Sequence, residues 1–209
     1  MRVLSLLVFF LSYLIGSFPS GHFAGQLAGV DIRKRGSGNI GATNVLRVLG
    51  RGYGFAVFFA DAFKGFIAVR AAFFLVWRTP GALEYADFYA ILAAASCVVG
   101  HSFPIWLSFK GGKGVATSAG AIFGVMPIAA ITIFLVWLVV FKTTRYVSVA
   151  SIVAAVALPV TVALMIYLGL TQGMVLFYFS LAMTALVVWR HRSNLSRLFA
   201  GTEQRFAQK

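Results

Sequence analysis

The sequence predicts an all-α fold: a polytopic membrane helix bundle of seven transmembrane spans, N-terminus outside and C-terminus cytoplasmic. Three observations carry that expectation. Of the 209 residues, 60% are hydrophobic and only 11% charged, with mean hydropathy +0.90, far from the averages of soluble domains. Apolar stretches of about 20 residues recur along the chain and leave no room for a separate soluble domain, so residues 1–209 read as one integral-membrane domain. The cations fall in short segments between those stretches. The formal charge of +13 therefore reflects membrane topology and not a nucleic-acid partner. The single cysteine, Cys97, lies in an apolar run, which excludes an intramolecular disulfide and any Cys-based metal cluster.

Span one covers Val3 to Ala24 and continues directly into structured-looking sequence, so it reads as a span and not as a cleaved leader. Gly16, Ser17, Pro19, Ser20, Gly21 and His22 crowd its second half, which implies that this half faces protein rather than lipid; His22 reads as a hydrogen-bonded bundle histidine. A polar segment follows from Asp31 to Arg51. Its glycines before Ile40 read as a loop, and Ile40 to Leu49 as a short helix closed by Gly50. Asn39, Thr43 and Arg47 recur every four residues, with Asn44 three before Arg47, so amides, hydroxyl and guanidinium share one face. An interfacial anchor helix has the same charge pattern, but it needs no Asn, no Thr and no Ser37-Gly38-Asn39 turn.

Span two, Tyr53 to Trp77, contains Asp61 and Lys64 at i, i+3. Each charge costs roughly 2.5–3.5 kcal/mol at membrane depth, so the two are expected to pair. Span three, Phe88 to Leu107, leads into Lys110-Gly111-Gly112-Lys113-Gly114. Glycines let backbone N–H groups converge on an anion, and the helix beginning near Val115 aims its positive end the same way. The loop suits a phosphate, although a basic surface anchor fits its charge too. It is not a Walker A loop, since Leu107 and Gly114 stand where Gly and Ser or Thr are required.

Val115 to Phe141 is long enough for one tilted helix or for two short ones broken near Gly124 and Pro127. Counting cations separates these cases. Two helices place fourteen of the 18 Lys and Arg residues on one side, whereas one helix divides the same fourteen equally. Seven spans follow from that. Span six covers Val147 to Leu168 with Ser148 and Ser151 at its cytoplasmic end; span seven covers Met174 to Trp189 and ends in Arg190-His191-Arg192-Ser193-Asn194. The tail from Gly201 reads as loosely ordered.

This topology puts the three polar segments on one membrane face. Together they offer phosphate ligands (Arg47, Lys110, Lys113 and the amides of Gly111, Gly112 and Gly114), hydroxyls, the amides of Asn39, Asn44 and Asn194, and the His191 imidazole. The sequence has no carboxylate cluster for a metal and no dinucleotide fingerprint, so no cofactor is expected.

At these residues the chain closely resembles the PlsY family of bacterial membrane acyl-phosphate:glycerol-3-phosphate acyltransferases. Three blocks carry the likeness: Ser37 to Asn44 with Arg47, Gly100-His101 through Thr117, and His191-Arg192-Ser193-Asn194 with Gly201-Thr202-Glu203. The resemblance implies a seven-helix enzyme of the bacterial inner membrane that makes lysophosphatidic acid, fed by a soluble acyl-phosphate-producing partner. It also frames residue roles. Arg47 and Lys110 hold the phosphate of glycerol 3-phosphate with Lys113 and the loop amides assisting. Ser37, Thr43 and Asn44 position a phosphate or the reacting hydroxyl; Asn39 and Ser148 are further candidate substrate ligands, with ordinary bonding inside its own helix the competing reading for Ser148. His191 acts as general base or only orients the hydroxyl, and Asn194 polarises the acyl carbonyl. The competing reading is a transporter for an organic phosphate, which broken spans and a midplane Asp61–Lys64 pair would suit.

Overall fold

The computed structural model describes residues 1–171 and 173–206, and among them every regular element is helical. The chain divides into two compact units, Met1–Val125 and Met126–Lys209.

The first unit begins with α1 (Arg2–Ser17) and α2 (Ser20–Leu27), parted at Phe18-Pro19. Pro19 has no N–H to continue the ladder, and the helix break exposes the Phe18 carbonyl to side chains. After a 3₁₀ turn at Ile32–Lys34, α3 (Ala42–Leu49) starts two residues later than expected and ends at Gly50, whose φ of 91° is a conformation that suits glycine. The long α4 (Arg51–Arg78), α5 (Ala86–Ser102) and α6 (Val115–Val125) complete the unit.

Lipid tails supply no hydrophobic drive between helices, so small residues that let backbones approach closely decide who packs on whom. A Cβ on Gly16 would collide with Cys97, and one on Gly100 with Tyr13, which brings α1 against α5. Gly65 and Gly120 do the same for α4 and α6, meeting Thr117 and Ala62. Beneath α3, the buried side chains of Ala24, Ile32, Ile40, Val45, Val57 and Leu107 form one apolar cluster. That cluster seats the polar helix on the unit.

The second unit holds α7 (Pro127–Thr144), α8 (Val147–Tyr167), α9 (Met174–Arg190) and α10 (Arg192–Phe199). Trp137 Nε1 donates to Ser151 Oγ at 3.2 Å, and Thr184 Oγ1 donates to the Ala155 carbonyl at 2.6 Å. These bonds join α7 to α8 and α8 to α9. The expected break between Val115 and Phe141 falls at Met126, with Pro127 opening α7.

Among the described residues, four helical segments are long and apolar enough to cross a bilayer: Arg2–Leu27, Leu83–Leu107, Pro127–Thr144 and Val147–Tyr167. The pair Met174–Arg190 and Arg192–Phe199, bent by 55°, makes up to five. Helix α4 has the length, but Asp61, Lys64 and Arg70 interrupt its apolar character. The 11 residues of α6 rise only about 16 Å, against a hydrocarbon core of about 30 Å.

Candidate active site

The first polar segment is organised by Asn44. Its Oδ1 accepts from the Ser37 N–H at 2.8 Å, while Nδ2 donates toward the carbonyls of Asn39 (2.8 Å), Arg35 (3.0 Å) and Ile32 (3.3 Å). At 2% exposure, this amide is a clasp that fastens the 32–39 loop to α3. The Asn44 amide, expected to bind substrate, has its hydrogen-bonding groups taken up by backbone groups five to twelve residues away. Asn39 closes a local turn by accepting from the Gly41 N–H at 2.8 Å. What the clasp presents is Ser37, exposed on the loop, and Thr43 and Arg47, half-buried on α3.

The lysine loop is likewise tied to its own scaffold. The chain reverses through Ser108 and Phe109, both left-handed at φ 49° and 62°, each costing of order 1 kcal/mol or more. It then lies back on the end of α5, where the Gly111 N–H donates to the Ser102 carbonyl (3.2 Å) and the Gly112 N–H to the His101 carbonyl (3.1 Å). Helix ends leave such carbonyls without intrahelical partners. The Gly111 and Gly112 amides, expected to converge on an anion, thus cap a helix. These glycines are needed for closeness: a Cβ on Gly111 would strike the His101 carbonyl and Pro104, and one on Gly112 the His101 ring. Gly114, at φ 80°, turns the chain into α6, its carbonyl accepting from the Ser118 N–H at 2.7 Å. The loop displays its cations, Lys110 exposed and Lys113 half-buried.

Directly behind it, Asp61 and Lys64 pair at 2.8 Å as expected. His101 joins them, its Nδ1 lying 2.8 Å from Lys64 Nζ and 3.6 Å from Asp61 Oδ1. His22 is half-buried, and its Nδ1 has no hydrogen-bond partner among the described residues.

In the second unit the chain bends at His191, between α9 and α10. The His191 ring folds back so that Nδ1 lies 2.8 Å from the Val187 carbonyl. A carbonyl only accepts, so Nδ1 carries the proton, and in the neutral ring the basic lone pair sits on Nε2. Three residues on, Asn194 Nδ2 donates to Glu203 Oε1 at 2.6 Å. Ser148 Oγ donates to the same oxygen at 2.8 Å, and Arg197 Nε meets Oε2 at 2.8 Å. Ser148, expected to touch substrate, is thus engaged in holding Glu203. Burial alone, the largest single influence, would raise the Glu203 pKa; the hydrogen bonds from Asn194, Ser148 and Arg197 and the Arg197 charge together outweigh it and hold the carboxyl below its ordinary value.

The tail is correspondingly ordered through Phe206, against expectation. The Phe206 N–H donates to the Arg145 carbonyl at 2.9 Å, its ring packs edge-on against Phe141, and Arg205 lies over Tyr146. Glu203 is the organising residue that motif reasoning underrated. A signal was present, since Glu203 is the only carboxylate after Asp87, set among Arg190, Arg192, Arg197 and Arg205.

Apolar helices that end in cationic and amide-bearing turns define an integral-membrane protein built to handle a polar, anionic substrate. The glycerol-3-phosphate acyltransferase family model matches residues 6–201. Proteins named glycerol-3-phosphate acyltransferase from Desulforamulus reducens and Aquifex aeolicus are 42% and 43% identical to this chain. The alignments cover 100% and 99% of it and 98% and 100% of theirs. The crystal structure of PlsY (YgiH), an integral membrane glycerol 3-phosphate acyltransferase, in its glycerol 3-phosphate form gives a TM-score of 0.84 at 40% identity, covering 97% of this chain and 96% of that one. Its lysophosphatidic acid form gives 0.83 at 38%, covering 97% and 95%. The chain belongs to the PlsY-type glycerol-3-phosphate acyltransferase family and is an integral-membrane acyltransferase of glycerol 3-phosphate.

Proposed function

We propose that this enzyme takes its acyl group from an acyl phosphate and releases lysophosphatidic acid and inorganic phosphate. The observation that carries the reading is the full-length likeness to PlsY, described in a glycerol 3-phosphate form and in a lysophosphatidic acid form. The second compound is the first with one acyl ester added, so the pair brackets an acyl transfer. The sequence supports the choice of donor. Acyltransferases of this pathway that use less activated donors carry His-x-x-x-x-Asp, and here the residues five beyond His22, His101 and His191 are Leu27, Trp106 and Ser196. An acyl phosphate is a mixed anhydride with a good leaving group and needs less activation of the attacking hydroxyl.

In this reading Arg47, Lys110 and Lys113 hold substrate phosphates by charge-assisted bonds, with Ser37, Asn39 and Thr43 orienting them. Asn44, Gly111 and Gly112 keep those groups in place without touching substrate. The hydroxyl of glycerol 3-phosphate attacks the acyl carbon, the bond from that carbon to the phosphate oxygen breaks, and phosphate leaves. His191 Nε2 accepts the hydroxyl proton, and Asn194 donates toward the developing oxyanion. The setting is the cytoplasmic face of a bacterial inner membrane, with seven crossings and the N-terminus outside. Acyl phosphate arrives from a soluble enzyme in transient contact.

Purified protein in detergent should release phosphate and form lysophosphatidic acid from palmitoyl phosphate plus glycerol 3-phosphate, and do so poorly with palmitoyl coenzyme A. His191→Gln should lower kcat about 100-fold if His191 is the base; a small fall assigns the proton to the donor's own phosphate. Arg47→Lys, which loses the bidentate fork, should raise KM for glycerol 3-phosphate. In a Cys97→Ala background, cysteines at Thr144 and Ser193 should resist impermeant maleimide on intact cells. No product from either donor, together with glycerol 3-phosphate uptake by proteoliposomes, would replace this reading with a transporter.

A further inference from the structure

Inside the first unit, Lys64 is saturated. Its ammonium has three N–H donors, and three acceptors surround it: Asp61 Oδ1 at 2.8 Å, the Phe18 carbonyl at 3.0 Å and His101 Nδ1 at 2.8 Å. Ser20 Oγ adds a fourth element by donating to Asp61 Oδ1 at 3.0 Å. Asp61, Lys64 and His101 are 2%, 6% and 6% exposed, so none of them reaches a substrate in the aqueous phase.

The His101 ring is fixed from both sides. An ammonium has no lone pair, so Nδ1 accepts and the ring proton sits on Nε2. On that far side lies the backbone of Gly112, so close that a Cβ there would overlap the ring. The carbonyls of His101 and Ser102 receive the N–H groups of Gly112 and Gly111. The last turn of α5 is therefore the floor on which the Lys110–Lys113 loop rests, and Lys64 sets the angle of that floor. An apolar contact would hold the same helices together without burying two charges.

We propose that Asp61, Lys64 and His101 are positioning residues for the reaction: a buried charge-balanced knot that fixes the Lys110–Lys113 loop in its phosphate-binding geometry. The proposal rests on the reading that this loop binds a substrate phosphate. It assigns to the knot an effect on substrate affinity, beyond its effect on folding.

The test is a steady-state comparison on purified protein with palmitoyl phosphate and glycerol 3-phosphate, each variant checked for thermal unfolding. His101→Leu removes the acceptor facing Lys64; His101→Asn places an amide oxygen near the former Nδ1. The expected result is a tenfold or greater rise in KM for one substrate in His101→Leu, with kcat within about threefold of the parent, and recovery of most of the affinity in His101→Asn. Because a buried ammonium short of one acceptor could prevent folding, the paired variant Asp61→Asn with Lys64→Gln, which leaves no net charge inside, should show the same rise in KM. Parent-like KM in the folded variants, with only a lower unfolding temperature, would overturn the proposal. Lys113→Ala and Lys110→Ala separate this failure from failure of the underlying reading. If both keep the parent KM, the loop binds no phosphate and the proposal falls with it; if either raises KM while His101→Leu does not, only the positioning role is lost.

Discussion

Asp61 in the first unit and Glu203 in the second each gather three side chains, but in opposite settings. Asp61 lies in the middle of α4 and collects Lys64, His101 and Ser20. Glu203 follows the last helix and collects Asn194, Ser148 and Arg197 from helix ends. In the interior of a helix bundle no water compensates a lone charge, so the knot around Asp61 must balance itself. Around Glu203 the partners are mostly neutral donors, and Arg197 remains partly in solvent. The first arrangement is rigid and all-or-none; the second can be loosened from outside.

That contrast fixes an order of effects. Lys64→Met should be the most damaging change, because removing one partner of a buried pair costs about 3–5 kcal/mol; the check is the yield of inserted protein and its unfolding temperature in detergent. Asn44→Ala should come next. It leaves the Ser37 N–H and the carbonyls of Asn39, Arg35 and Ile32 without their side-chain partner, at about 1–3 kcal/mol, and should loosen the 32–39 loop as seen by faster proteolysis there. Glu203→Gln keeps the shape but weakens every bond in its knot. It should lower stability by about 1–2 kcal/mol and reduce kcat through Asn194 while the apolar helices remain inserted.

A pH series sharpens the comparison. The Glu203 carboxyl is held below its ordinary value of 4.5 in the folded protein, so its contribution is present above about 4.5 and is lost as pH falls through the lower folded value. Unfolding temperature should therefore drop on acidification below pH 4.5 in the parent and drop less in Glu203→Gln. The smallest effect belongs to Asp31→Asn. Arg33 holds that carboxyl below its usual range, but the pair is exposed and screened, and no change in unfolding temperature is expected.

Much of this was legible in the sequence for a physical reason: apolar length, helix breakers and cation placement are local properties. The α6–α7 break at Pro127, the α3 stop at Gly50 and the Asp61–Lys64 pair all follow from residues within a few positions of one another. What escaped was contact at a distance. On a helical wheel Asn44 shares a face with Arg47, yet a loop beginning at Ile32 passes over it and takes its amide. The glycine run announced available N–H groups but not the α5 carbonyls beneath them. Loose order in the tail was inferred from composition; one carboxylate and one aromatic ring returning to the α7–α8 turn were enough to reverse it.

The place of Glu203 has a genetic corollary. A missense change there would leave every apolar helix intact, so translation, targeting and insertion would proceed normally. The cell would then carry a full complement of membrane-embedded chains whose Asn194 and Arg197 have lost their common anchor. Such an allele would be read first in the lipids the cell makes.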